Sequence, residues 1–154
     1  MEDVRKIASY ICLRYEQQFG KCIDEMKLHK LLYFMQRESL IQLYEPMFPD
    51  SFEAWKYGPV MVGIRHLFSA RLLTDTLSDE CISKFQKVFD KVFEQYAQKD
   101  SWSLSCLTHG EYSWQKAREG VAEHDSCRKE MRIEDIAIDA KRIRERRQLL
   151  RLVK

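Results

Sequence analysis

Cys106 and His109 lie three residues apart, and Glu111 follows His109 by two. A thiol and an imidazole at that spacing would suit a nucleophile with its base, and the imidazole with the carboxylate would suit acid–base chemistry. Nothing nearby marks an activated thiolate or a third group to orient the ring. Thr108-His109-Gly110-Glu111 is more simply a helix-capping box, with Thr at the cap and Glu three residues on. Other catalytic signatures are missing. The five glycines are scattered and build no phosphate loop, and neither Gly-x-Ser-x-Gly nor His-Glu-x-x-His occurs. Cys12, Cys22, Cys81, Cys106 and Cys127 form no Cys-x-x-Cys pair and have no His at zinc-ligand spacing. Neither a disulfide framework nor a structural zinc is expected. The residues point away from an enzyme, and no cofactor or metal is expected.

Binding chemistry has more candidates. Lys27, Lys30 and Arg37 share a segment with Tyr33. The bland reading is a solvated helix side; the functional one is a partner-facing patch of Lys27, Lys30 and Arg37 with Tyr33, in which Lys30, Tyr33 and Arg37 are the candidate contacts. Phe48, Phe52, Trp55 and Tyr57 are core and its lid on one reading, and an aromatic anchor set for a protein on the other. His109 joins Trp55 and Tyr57 as a candidate contact. From Asp139 to Lys154, seven basic residues face two acidic ones, a charge of +5. The net charge of +2 then leaves −3 on the rest of the chain. Arg142 and Arg146 are the tail's candidate contacts. It can be a solvated helix end, a weak electrostatic nucleic-acid binder, or, through Leu149, Leu150, Leu152 and Val153, a dock for an acidic protein. No aromatic residue interleaves it, which argues against single-strand binding.

These residues must be held by a fold. The 154 residues are 45% hydrophobic and 32% charged, enough for one domain with a sizeable core. No apolar run approaches the ~20 residues of a membrane span, and the charged N-terminus is no signal peptide. A cytoplasmic protein without membrane contact is expected. The organising element is Asp24–Tyr44, a helix capped by Asp24 and apolar around much of its circumference, which places it at the centre of the fold. Before it, Glu2–Gln18 reads as a helix stopped at Gly20. Phe52–Tyr57 suits a short strand, and Pro59 suits the first position of a helix reaching Arg71. Leu72–Thr76 is the expected partner strand. Ser78 caps a long helix with Ile82, Phe85, Phe89, Val92 and Tyr96 inward. A short helix over Ser101–Leu107, another opened at Thr108, a polar loop over Val121–Lys129 and a last helix from Ile133 complete the chain. The fold class expected is mainly α, one compact helical domain with at most a two-stranded β-hairpin.

Three blocks carry a resemblance. Met26-Lys27-Leu28-His29-Lys30-Leu31-Leu32-Tyr33-Phe34, Phe52-Glu53-Ala54-Trp55-Lys56-Tyr57-Gly58-Pro59-Val60 and Thr108-His109-Gly110-Glu111-Tyr112-Ser113-Trp114-Gln115-Lys116-Ala117 resemble, in order and spacing, the signature blocks of the SocA/GepA-type or Panacea domain. The resemblance spans roughly residues 1–138, leaving 139–154 as a basic helical extension outside the shared pattern. Pro is common in the family where Ser113 stands here, and Gln where His29 stands. The resemblance implies a bacterial or phage antitoxin, encoded beside a small toxin and neutralising that cognate protein by direct binding. The family's toxins are diverse, including nucleotide pyrophosphokinase-type enzymes that arrest translation. It also implies two alternatives: an adaptor that delivers the toxin to an ATP-dependent protease, or, with the basic tail, a DNA-binding autoregulator.

Overall fold

Helix α2, Glu25–Leu43, is buried at every position from Lys27 to Ile41. The structure, a computed structural model, describes residues 1–153, with side chains through Leu152. Lys154 and the Val153 side chain, both counted in the basic tail, lie outside the described residues. Asp24 caps α2 by accepting from the Lys27 amide at 2.8 Å, and Tyr44 ends it in the left-handed region.

Around this axis pack α1 (Val4–Phe19), α4 (Asp79–Val92), α5 (Ser101–His109) and α7 (Ile133–Val153). The first three have a sequence reason to start or stop. Asp3 caps α1, and Gly20, at φ +71°, closes it with its amide on the Glu16 carbonyl. Val4, Ile7, Ala8, Ile11 and Tyr15 form its buried stripe, as the spacing predicts. Ser78 caps α4, which runs on as a π-turn over Phe93–Ala97. Asp100 caps α5. Among the described residues, no helix is long and apolar enough to cross a membrane.

The sheet has two strands, but its second strand is not Leu72–Thr76. β1, Glu53–Trp55, turns through Lys56-Tyr57 and pairs with β2, Gly58–Val60, in the register Glu53↔Val60, Ala54↔Pro59, Trp55↔Gly58. Pro59 therefore lies in a strand, and α3 begins later, at Val62–Ser69. Pro has no amide for the ladder, which an edge strand tolerates. On the other side of β1, Lys129–Met131 adds a short stretch of pairing, with the Ala54 amide on the Lys129 carbonyl and the Met131 amide on the Phe52 carbonyl.

The expected capping box is also replaced. Thr108 sits in the last turn of α5, where its hydroxyl donates to the Ser105 carbonyl, and α6 is Tyr112–Ala117 with Glu111 before it. In α7, Ile136, Asp139 and Ala140 face inward, whereas Ile133 and Ala137 are exposed. The division expected between 138 and 139 falls inside this helix.

Candidate functional site

The polar residues of α2 from Lys27 to Ser39 are buried. The Tyr33 hydroxyl, wholly buried, lies 2.6 Å from Glu111 Oε2 and 3.0 Å from Asp139 Oδ2. Burial and these two carboxylates push its pKa well above the ordinary tyrosine value. Arg37 donates to Glu111 at 2.8 Å and to the Tyr96 hydroxyl at 2.6 Å. Glu38 accepts from both Arg147 guanidinium nitrogens at 2.8 Å, a bidentate pair. Burial disfavours the ionised Glu38, but the bonds from Arg147 and Gln42 outweigh it and hold the carboxyl below its usual range. Asp139 also accepts from the amides of Tyr112 and Ser113, which starts α6. Arg144 donates to the carbonyls of Leu40 and Ile41. The network fastens α6 and α7 to α2.

Lys30, Tyr33 and Arg37 are thus no partner-facing patch, because each is at most 3% exposed. From Lys27 to Ile41 the helix that carries them is surrounded on all sides, so no solvated face exists there. The hairpin does reach solvent. Tyr57 is 46% exposed and lies 5.9 Å, centroid to centroid, from the Trp102 ring, itself 60% exposed. Trp55 is half-buried at the mouth of a cavity of about 450 Å³, with the guanidiniums of Arg65 and Arg128 5.1 and 5.6 Å from its ring. Beneath the hairpin, the Trp114 indole donates to the Trp55 carbonyl at 2.8 Å and Arg118 to the Ala54 carbonyl at 3.0 Å.

His109 stacks on Trp114 at 4.4 Å, and burial lowers its pKa. Glu111 belongs to Arg37 and Tyr33, so His109 and Glu111 do not form an acid–base pair. Cys106 is exposed. Among the described residues, no group of three or more His, Cys, Asp and Glu is placed to hold a metal ion. Arg142 and Arg146 are exposed on α7, the former with its guanidinium 5.1 Å from the Tyr112 ring.

Glu38, Asp139, Arg144, Arg147, Arg118 and Trp102 escaped the sequence reading. For the first four, the signal lies in pairings between residues about a hundred positions apart, which no local pattern reveals. Trp102 carried one readable signal: a Trp two residues after a helix cap lies in the first turn, where burial is incomplete.

A family model described as antitoxin SocA-like, Panacea domain, matches residues 28–115, more than half of the 154-residue chain. The match covers the hairpin, α2 from its first turn, and Glu111. No curated protein and no solved structure matches the chain.

Proposed function

The chain belongs to the SocA-like, Panacea-domain antitoxin family, and we propose that it neutralises a cognate protein toxin by binding it directly. The contact face is the hairpin tip and the start of α5. One observation carries this choice: Tyr57 and Trp102 are two large aromatics from different elements, exposed side by side, with the Lys56 ammonium 5.3 Å from the Tyr57 ring and Arg65 and Arg128 lining the cavity that Tyr57 also lines. Exposed aromatics rimmed by charge are the usual anchors of protein interfaces. The polar groups of α2, by contrast, are turned inward to α6 and α7. Neutralisation is steric, with the toxin's active surface covered or held inactive.

The test is co-expression with the neighbouring reading frame. Rescue by the wild-type chain and its loss in Tyr57→Ala/Trp102→Ala, at unchanged thermal stability, is the expected result. Each anchor is worth about 2 kcal/mol, roughly thirtyfold in affinity. A neighbour that is harmless alone removes the toxin. A double variant that rescues fully removes this face.

A further inference from the structure

We propose that the cavity between the start of α2 and the hairpin is a binding site for a single carboxylate group, with the Lys30 ammonium as its buried counter-charge. Lys30 is 1% exposed, and its Nζ has one hydrogen bond, to the Pro59 carbonyl at 3.1 Å. Among the described residues no carboxylate lies within 4 Å of it, so no ion pair forms. An ammonium has three donors, and a buried cation with one neutral acceptor is poorly compensated. Its neighbour His29, 2% exposed and lining the same cavity, is also incompletely partnered. Its Nδ1 accepts from the Met61 amide at 3.2 Å, which places the ring proton on Nε2. That Nε2 has no hydrogen-bond partner, and the nearest carboxylate oxygen, Glu25 Oε1, is 3.6 Å away.

The walls define the guest. Arg65 and Arg128 stand at the mouth against Trp55, so the approach is cationic with Glu25 as its one acid. One buried positive charge calls for one negative charge. Glu25 Oε1 lies 3.6 Å from Arg65 Nε and offsets that wall cation, and the apolar wall disfavours a compact, strongly hydrated dianion such as phosphate. Trp55, Tyr57, Met26 and Val60 supply apolar wall for the carbon frame beside the carboxylate. The volume of about 450 Å³ accepts an amino-acid side chain with part of its backbone, or a small organic acid. Both sources share this chemistry.

The probe is N-acetyl-aspartyl amide, added to the full chain while the Trp55 indole N–H is followed by NMR. N-acetyl-asparaginyl amide and inorganic phosphate are the comparisons. The expected result is a saturable shift with the aspartyl probe at millimolar concentration, about tenfold weaker or absent with the other two. Lys30→Met, an apolar near-isostere that removes the buried charge without leaving a partner ion, should abolish it. Arg65→Gln/Arg128→Gln, on exposed positions, should weaken it about threefold and provides the reading if Lys30→Met does not fold. No saturation, equal binding of the neutral amide or of phosphate, intact binding in folded Lys30→Met, or, where that variant does not fold, intact binding in Arg65→Gln/Arg128→Gln overturns the site. A pull-down with the neighbouring frame's product separates the sources. Loss of the complex in folded Lys30→Met assigns the carboxylate to the partner protein, and an intact complex assigns it to a free small acid.

Discussion

Gly58→Ala tests how the hairpin is seated. Gly58 has φ +111°, a region that residues with a side chain avoid. A Cβ there would stand 2.5 Å from Thr108 Oγ1 and 2.6 Å from Lys30 Cε. The Thr108 hydroxyl is tied to the Ser105 carbonyl inside α5, and Lys30 to the Pro59 carbonyl, so neither retreats freely. Backbone strain of about 1–3 kcal/mol and overpacking of about 1–3 kcal/mol combine to about 4 kcal/mol. In a chain of this size that lowers the unfolding midpoint by about 10 °C. Urea and thermal denaturation followed by circular dichroism measure both quantities. Gly63→Ala is the control: its Cβ meets nothing within 4 Å and its φ is not positive, so it should stabilise α3 by up to about 1 kcal/mol. A Gly58→Ala loss below about 1 kcal/mol would refute the reasoning, since it would mean that the hairpin shifts off α2 and α5 at little cost.

Arg37→Met leaves Glu111 without its cation and should cost about 3 kcal/mol, with a coupling above about 1 kcal/mol to Glu111→Gln in a double-mutant cycle measured by urea denaturation. Truncation after Arg147 should leave the thermal midpoint within about 2 °C, because Leu149, Leu150 and Leu152 are exposed, whereas truncation before Arg144 strips Glu38 of its bidentate partner and should lower the midpoint several-fold more. His29 gives a pH dependence. Burial, then the charges of Lys30 and Arg65, lowers its pKa from 6.5 to about 3. Between those values the unfolded chain binds a proton that the folded chain refuses. Stability from this group is therefore complete above about pH 6.5 and falls as the pH drops towards 3, by at most about 1.4 kcal/mol per pH unit. His29→Gln should flatten that slope in chemical denaturation run at pH 7, 6 and 5.

Much of the architecture is legible because its signals are local. Asp24, Ser78 and the glycine at 20 announce helix ends by side-chain chemistry confined to one turn, and the helices start or stop where they stand. The apolar circumference of α2 announces its burial. The hairpin departs from the expected pairing for a physical reason: Phe52–Tyr57 alternates well enough to read as one strand, which conceals a turn at Lys56-Tyr57, and Gly58-Pro59 carries the signature of a helix start. The site was less legible. Lys30, Tyr33 and Arg37 have the charge and polarity of a wet surface, and only partners such as Asp139, far along the chain, bring them inside. The capping-box pattern at Thr108 had the right letters, but Glu111 is drawn away by the buried Arg37, a stronger partner than a free amide.

The family match begins at Leu28 and ends at Gln115, yet the charges it encloses are completed outside it. Arg147 lies beyond the match and neutralises Glu38, and Asp139 beyond it closes the cluster around Tyr33. A piece cut to residues 28–115 would therefore lose α1 and α7 and uncover the sides of α2 that they pack against, while Tyr33 would keep only Glu111 and Ser113. Such a piece should unfold rather than bind more weakly, because each core side chain that it loses or uncovers contributes about 1.5–3 kcal/mol against a total stability of about 5–15 kcal/mol. The same logic divides the substitutions that inactivate the full chain. Those at Tyr33, Arg37 or Glu38 act on folding, and a loss of neutralisation there is uninformative about contact. Those at Tyr57 and Trp102 remove exposed rings that complete no buried pair, so a loss there, at unchanged stability, would support the proposed contact face.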